Sequence, residues 1–342
     1  MVKTMNVITL TRTLVDIESI TGNEARVGEF VLQQLLELTG KFGGKAERIQ
    51  VEPDRFNVLA CFGEPVVTLS THLDTVPPFY PSREDATDVW GRGACDVKGI
   101  IAAMLCAASS LLEEGVRNFA LLFVVGEEKD SAGAYFAAGH PRGSRFIVNG
   151  EPTGNRLALG SKGALRYELT ATGRMAHSAY PELGESAILK LLDALERIRK
   201  IQLPTDEILG PCTLNIGQLS GGRAPNVVPD EAGATLMFRL VGDPDPLRAA
   251  VRQAAGEDAL DHEILCIPAV LLGSLPGFET TVVAYTTDIP AFGGKWGKPF
   301  LIGPGTIHVA HTAEERVPKA QLLEAVEIYA RLVRQLLASG AN

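Results

Sequence analysis

The chain has 342 residues, enough for roughly two domains at ~150 residues each. Hydrophobic residues make up 46% and charged residues 21% of it, a globular composition that excludes wholesale disorder, collagen-like repeats and coiled coils. With 32 basic against 41 acidic side chains the net charge is −9, which argues against general affinity for nucleic acid or an anionic membrane. The surplus acid either keeps the surface soluble or is gathered in one place to hold cations.

The N-terminal stretch carries acidic residues where a secretory leader needs an apolar run. The longest apolar run, Ile100 to Ala108, is far shorter than the ~18 residues of a membrane span. A cytoplasmic protein with no membrane segment is therefore expected. Val27, Phe30, Val31, Leu35 and Leu38 share one helical face, and VVTLSTHLD (66–74) reads as a buried strand ending in polar residues. GIIAAMLCAASSLLEEG (99–115) is a helix apolar nearly all round, which predicts packing against a sheet. FALLFVVGEE (119–128) and RFIVNGE (145–151) are two more buried strands, so the first part is an α/β sheet.

From about Ser161 the pattern changes. ALRYELTATG alternates like a strand with one wet face, and GESAILKLLDALERIRK (184–200) is an amphipathic helix. TLNIGQLSGG and ATLMFRLVG add strands and PLRAAVRQAAG a second helix, an α+β set with helices on one sheet face. The α/β texture resumes with TVVAYTTD and KPFLIGPG, and a closing helix follows Pro318. The expected fold is an α/β catalytic domain with a mixed sheet flanked by helices, residues 1–160 and 273–342, interrupted by an inserted α+β lid or dimerisation domain at 161–272. Cys61, Cys95, Cys106, Cys212 and Cys266 are scattered, odd in number and without a CxxC pair, so neither a disulfide framework nor a thiolate zinc site is indicated.

Each predicted strand of the α/β part ends in a polar cluster, and ligands in open α/β sheets bind at the carboxyl ends of strands. The clusters hold His72 and Asp74, then Asp96, then Glu127 and Glu128, then Glu151, and finally His308, His311, Glu314 and Glu315. Imidazole plus several carboxylates suits Zn²⁺, Mn²⁺ or Co²⁺, and so many carboxylates suit a two-metal site with a bridging aspartate. Taken singly, each residue has an ordinary reading: a surface histidine, a helix N-cap at Asp96, a solvated turn at Glu127 and Glu128. Recurrence at successive strand ends is what favours a metal site.

The ordered motifs carry a resemblance. His72-Leu73-Asp74-Thr75-Val76-Pro77, Gly91 to Gly99, Gly126-Glu127-Glu128, Glu151-Pro152-Thr153, His177-Ser178, Asn226 to Pro229, Gly303-Pro304-Gly305 and His311-Thr312 span nearly the whole chain. They resemble the two-zinc metallopeptidases and deacylases that include acetylornithine deacetylase, succinyl-diaminopimelate desuccinylase, aminoacylase and carboxypeptidase G. That resemblance implies two divalent ions, zinc first with cobalt or manganese as alternatives. His72 and Glu151 would hold one, Glu128 and His311 the other, with Asp96 bridging and His311 favoured over His308. It implies Asp74 as the partner that orients His72, and Glu127 as general base that takes a proton from a metal-bridging water and returns it to the leaving amine. His177 would donate to the oxyanion from the lid or from a second subunit. Arg239, Asn226, Gly303 and Gly305 would grip the substrate, Arg239 through an α-carboxylate. The implied enzyme is a homodimeric amidohydrolase acting on an N-acyl amino acid, most like acetylornithine deacetylase. The alternatives are deacylation of acetyl-lysine, acetylcitrulline or carrier-protein-linked lysine or ornithine, desuccinylation of succinyl-diaminopimelate, and the dipeptidase or carboxypeptidase activity of other members of the same family. The TTDIP segment (286–290) resembles the deacetylase and aminoacylase branch. A pseudoenzyme would have lost a ligand or the base, and a solute-binding protein has no need of one.

Overall fold

The computed structural model describes residues 5–339. The described residues form two compact units, 5–159, 272–281 and 287–339 in the first, 160–271 and 282–286 in the second. The sequence reading returns the chain to the first unit at 273 and misses the second excursion, because the alternation of TVVAYTTD does not reveal which sheet a short strand joins.

In the first unit a six-stranded mixed sheet runs in the order Lys45–Glu52, Arg55–Phe62, Phe119–Val124, Val67–His72, Phe146–Asn149, Lys298–Leu301. The last four are mutually parallel, and an antiparallel hairpin closes one edge. Phe119–Val124 and Val67–His72 are buried at every position, as strands covered on both faces must be. Leu121, Phe123, Leu69 and Val148 face one apolar cluster with the helices Val7–Val15, Ala25–Phe42, Gly99–Glu113 and Lys319–Ser339, while Leu122, Val124 and Ile147 face another with Ala134, Phe292 and Trp296. The segment Ala94–Glu113 is long and apolar enough to cross a bilayer by length and composition, but 89% of its most apolar window is buried in the protein. The sequence survey, which counted only uninterrupted apolar residues, did not register it. It is the core helix of the sheet. All five cysteines are free.

The second unit is βαββαβ: Gly163–Thr172, helix Ala187–Arg199, Thr213–Gly221, Glu231–Leu240, helix Asp245–Ala255, Leu260–Ile267. Its antiparallel sheet is ordered Thr213–Gly221, Glu231–Leu240, Gly163–Thr172, Leu260–Ile267. Ala234, Leu236, Phe238 and Leu240 are buried in one core with Leu191, Leu195 and Val251 of the helices, while Thr235, Met237 and Arg239 alternate onto the other, partly exposed face.

Candidate metal centre

Parallel strands bring their carboxyl ends to one edge of the sheet. His72 is the last residue of its strand, Glu127 and Glu128 lie in the turn after Phe119–Val124, and Glu151 follows Phe146–Asn149. Asp96 comes from the turn that opens the core helix and His311 from the segment before Arg316–Pro318. His311 has φ 63°, a left-handed conformation uncommon for a side-chain-bearing residue and typical of constrained functional positions.

Two groups of donor atoms converge. His72, Asp96 and Glu151 each offer an atom with all three within 4.8 Å of one another, as do Asp96, Glu128 and His311. Asp96 belongs to both. Its Oδ1 lies 3.2 Å from His72 Nε2 and its Oδ2 3.3 Å from His311 Nε2, so the two oxygens of one carboxylate address two different imidazoles. His311 Nε2 is also 3.1 Å from Glu128 Oε1. His308 is exposed and belongs to neither group.

Asp74 ties the cluster together. His72 Nδ1 lies 2.9 Å from the Asp74 carbonyl oxygen and 3.4 Å from its Oδ1, which leaves Nε2 for the cluster. The same carboxylate accepts from the backbone N–H of Gly126 and Glu127 at 3.1 Å, from Glu128 N at 3.2 Å and from Thr21 Oγ1 at 2.8 Å. One buried side chain thus orients both a histidine and the turn that carries two glutamates.

The electrostatics follow from crowding acids away from water. Burial, reinforced by the Glu151 charge, pushes the Glu127 carboxyl well above the usual carboxylate range. Glu151 is likewise raised by burial, with the Asp96 charge adding to it. Burial works against a protonated His72, yet Asp74 and Asp96 outweigh it and raise the ring well above its ordinary value. His311 is raised to about 10 by Asp96 and Glu128. Raised carboxyls beside raised imidazoles describe a site that demands positive charge. Glu151 Oε1 is buried without a hydrogen-bond partner, an open acceptor that a cation would satisfy. The donor set, two imidazoles and three carboxylates sharing one of them, fits two borderline divalent ions. Cys95 is no part of it. Burial holds its thiol well above its usual range, and Sγ faces Thr306 O at 3.7 Å and Glu315 Oε1 at 3.9 Å.

The glycines expected to grip substrate take part in the backbone frame around Glu151. Gly303 O accepts from Thr153 N at 3.1 Å and Asn155 N at 2.8 Å, and Gly303 N donates to Thr153 Oγ1 at 3.1 Å. Gly305 N donates to Gln321 Oε1 and its carbonyl accepts from Gly154 N, both at 2.8 Å. Both are buried, and a Cβ at Gly303 would come within 2.7 Å of Glu151 O. Their backbone groups help frame the Glu151 turn, and the close approach at Gly303 is one that glycine allows.

His177 and Asn226 lie together in the second unit. His177 pairs with Val227 in an isolated bridge, and Ser178 N donates to Asn226 O at 3.0 Å. The His177 ring is exposed, and its Nδ1 accepts from Ala179 N at 3.1 Å. Nε2–H is thereby left to donate outward. Arg239 stands on the open sheet face, where partial burial lowers its pKa.

Sequence reasoning missed Asp288. It is 1% exposed, its Oδ1 has no hydrogen-bond partner, and burial pushes its carboxyl up to about 7, with the charges of Asp74 and Glu128 adding to the rise. The TTDIP segment served only as a branch marker, because no neighbouring histidine or acid flagged it. Its apolar setting, Ile289 to Phe292, was the available signal that an acid there is buried.

Three comparisons bear on this geometry. The sequence signature of the peptidase dimerisation domain, M20_dimer, matches residues 159–263. The chain is 37% identical to a peptidase M20 domain-containing protein of Schizosaccharomyces pombe, over 96% of this chain and 84% of that protein. It is 40% identical to a probable carboxypeptidase of Neosartorya fischeri, over 95% and 85% respectively. A solved dinuclear metal-binding peptidase of the M20 family from Bacillus subtilis shares the fold, with a TM-score of 0.69 at 17% identity and 97% of each chain covered. With such identity across nearly its full length, the chain belongs to the M20 peptidase family and is a metal-dependent hydrolase of amide bonds.

Proposed function

We propose that the protein is a two-metal exopeptidase of the carboxypeptidase type, cleaving the amide bond to the nitrogen of an amino acid whose α-carboxylate is free. Acetylornithine, the substrate that the sequence resemblance put first, presents the same bond with acetyl in place of a peptidyl group. The probable-carboxypeptidase relatives support the peptidyl form. The observation that carries the reading is Asp96, shared by two donor groups beside Glu127.

In this reading His72, Asp96 and Glu151 hold one divalent ion and Asp96, Glu128 and His311 the other, zinc first, with cobalt and manganese as alternatives. Such ions supply charge that polarises a scissile carbonyl and acidifies water. Glu127 takes a proton from the attacking water and returns it to the leaving amine. It can do so only as a carboxylate, and the divalent charge is what offsets the crowding that raises it. Asp74 holds the turn that places Glu127, through the Gly126, Glu127 and Glu128 amides. The outward Nε2–H of His177 donates to the developing oxyanion, and Arg239 pairs with the substrate α-carboxylate. The dimerisation-domain signature supports a homodimer.

A substrate panel with added Zn²⁺ or Co²⁺ tests this. It comprises dipeptides and tripeptides with free and amidated C-termini, acetylornithine, acetyl-lysine, acetylcitrulline, succinyl-diaminopimelate and a carrier-linked amino acid. Turnover is expected for free-carboxylate peptides or N-acyl amino acids, with amidation of the C-terminus lowering kcat/KM by at least about 10²-fold. Equal turnover of amidated and free peptides would contradict it.

A further inference from the structure

We propose that Arg92 and Glu315 are positioning residues, a buried brace that locks the loop bearing Asp96 to the segment bearing His311. The inference rests on the two-metal reading and goes beyond its ligands.

Arg92 and Glu315 are 1% and 2% exposed, yet Glu315 belongs to neither donor group. Their contacts lie on both sides of the cluster. Arg92 Nη1 donates to Glu315 Oε2 and to the Thr312 carbonyl at 3.4 Å, one residue after His311, and Arg92 Nε donates to Pro78 O at 3.2 Å. The other carboxylate oxygen, Glu315 Oε1, accepts from the backbone N–H of Asp96 at 3.3 Å. The Glu315 carbonyl accepts from Gly91 N at 3.1 Å. Immediately beyond, Arg316–Pro318 pairs with Asp88–Trp90. Residues 91–96 are therefore held at both ends by Glu315, and Arg92 reaches back to the turn that follows His311.

The geometry shows why such a brace matters. Asp96 must present its two oxygens to His72 and His311 at once, and these three residues come from separate stretches of the chain. A displacement of one loop relative to the other separates the donors of the second group even when every ligand is intact. A buried ion pair is an uncertain source of stability, because desolvation offsets its Coulomb attraction, whereas removing one partner leaves a buried charge unanswered. Groups that orient metal ligands from behind commonly change metal affinity by about 10–100-fold.

The test measures zinc stoichiometry and dissociation constants by competition with a chromophoric chelator in full-length wild type, Glu315→Gln, Arg92→Lys and Leu336→Ala. The last removes a buried side chain of the helix Lys319–Ser339 and controls for general destabilisation. Glu315→Gln is expected to weaken zinc binding by about 10–100-fold, while Leu336→Ala melts lower but binds zinc as the wild type does. Arg92→Lys keeps the charge and gives up the fixed fork of donors, so it weakens binding by a smaller factor and serves if Glu315→Gln does not fold. Folded Glu315→Gln or Arg92→Lys protein that binds both ions as tightly as wild type overturns the brace alone. Wild-type protein that binds no zinc, cobalt or manganese overturns the two-metal reading, and the brace with it.

Discussion

The two units hold their candidate residues in opposite ways. In the first, His72, Asp74, Asp96 and Glu151 are buried: His72 lies 3.4 Å from Asp74 and 3.2 Å from Asp96, Asp74 accepts from backbone amides, and Glu151 Oε1 has no hydrogen-bond partner. In the second, His177 and Asn226 are exposed and Arg239 lies on an open sheet face. Charge removed from water must be answered inside the protein, so the pattern of partners in the first unit fits the divalent cations that its two donor groups would hold. Charge left in water is answered by water. The second unit therefore shows what its residues can reach without showing what they bind.

The largest effect that would sharpen this contrast is at Glu127. Glu127→Gln is expected to lower kcat by about 10³-fold or more while both ions stay bound; unchanged turnover in a metal-loaded variant would remove the base from the account. A smaller effect concerns the acid that the sequence did not disclose. Because the folded-state pKa of Asp288 is raised from 3.8 to about 7, its neutral form is favoured on folding. The stability it contributes is complete below pH ~4 and is lost as pH rises toward 7. In protein stripped by a chelator, Asp288→Asn should therefore gain stability relative to wild type between pH 4.5 and 7, on the order of 2–4 kcal/mol at ~1.4 kcal/mol per pKa unit. Urea unfolding at the two pH values reads this difference, and parallel behaviour of the two proteins contradicts it. The smallest effect belongs to the second unit, where Arg239→Met should raise KM by about tenfold for a free-carboxylate substrate and leave kcat nearly unchanged. A fall in kcat with KM unaltered would move Arg239 from binding to chemistry.

Much of this was legible in the sequence because strand ends are chemically marked. Polar residues closing the apolar strands 66–74, 119–128 and 145–151 marked His72, Asp74, Glu127, Glu128 and Glu151 as candidates, and parallel pairing brings those ends to one edge. His311 was separable from His308 only by resemblance, since three residues in an irregular segment carry no periodicity; the left-handed backbone at His311 and its approach to Asp96 and Glu128 are tertiary facts. The hydrogen bonds of Gly303 and Gly305 to Thr153, Gly154, Asn155 and Gln321 are tertiary facts of the same kind. A glycine needed for close backbone packing and one that admits a ligand look alike until their hydrogen bonds are seen. Asp288 and the Arg92–Glu315 pair stayed hidden because Arg92 and Glu315 lie 223 residues apart, while the side chains that act on Asp288, those of Ser131, Glu128 and Asp74, come from distant stretches of the chain.

The central claim is that the cluster built on Asp96 holds two divalent ions that the reaction requires. Metal analysis of the purified protein, followed by chelation and stepwise restoration of Zn²⁺ or Co²⁺ with peptide hydrolysis as the readout, tests it most directly. Two ions per chain, loss of turnover on stripping and recovery on restoration are the predicted results. Full activity at a stoichiometry of zero would contradict it.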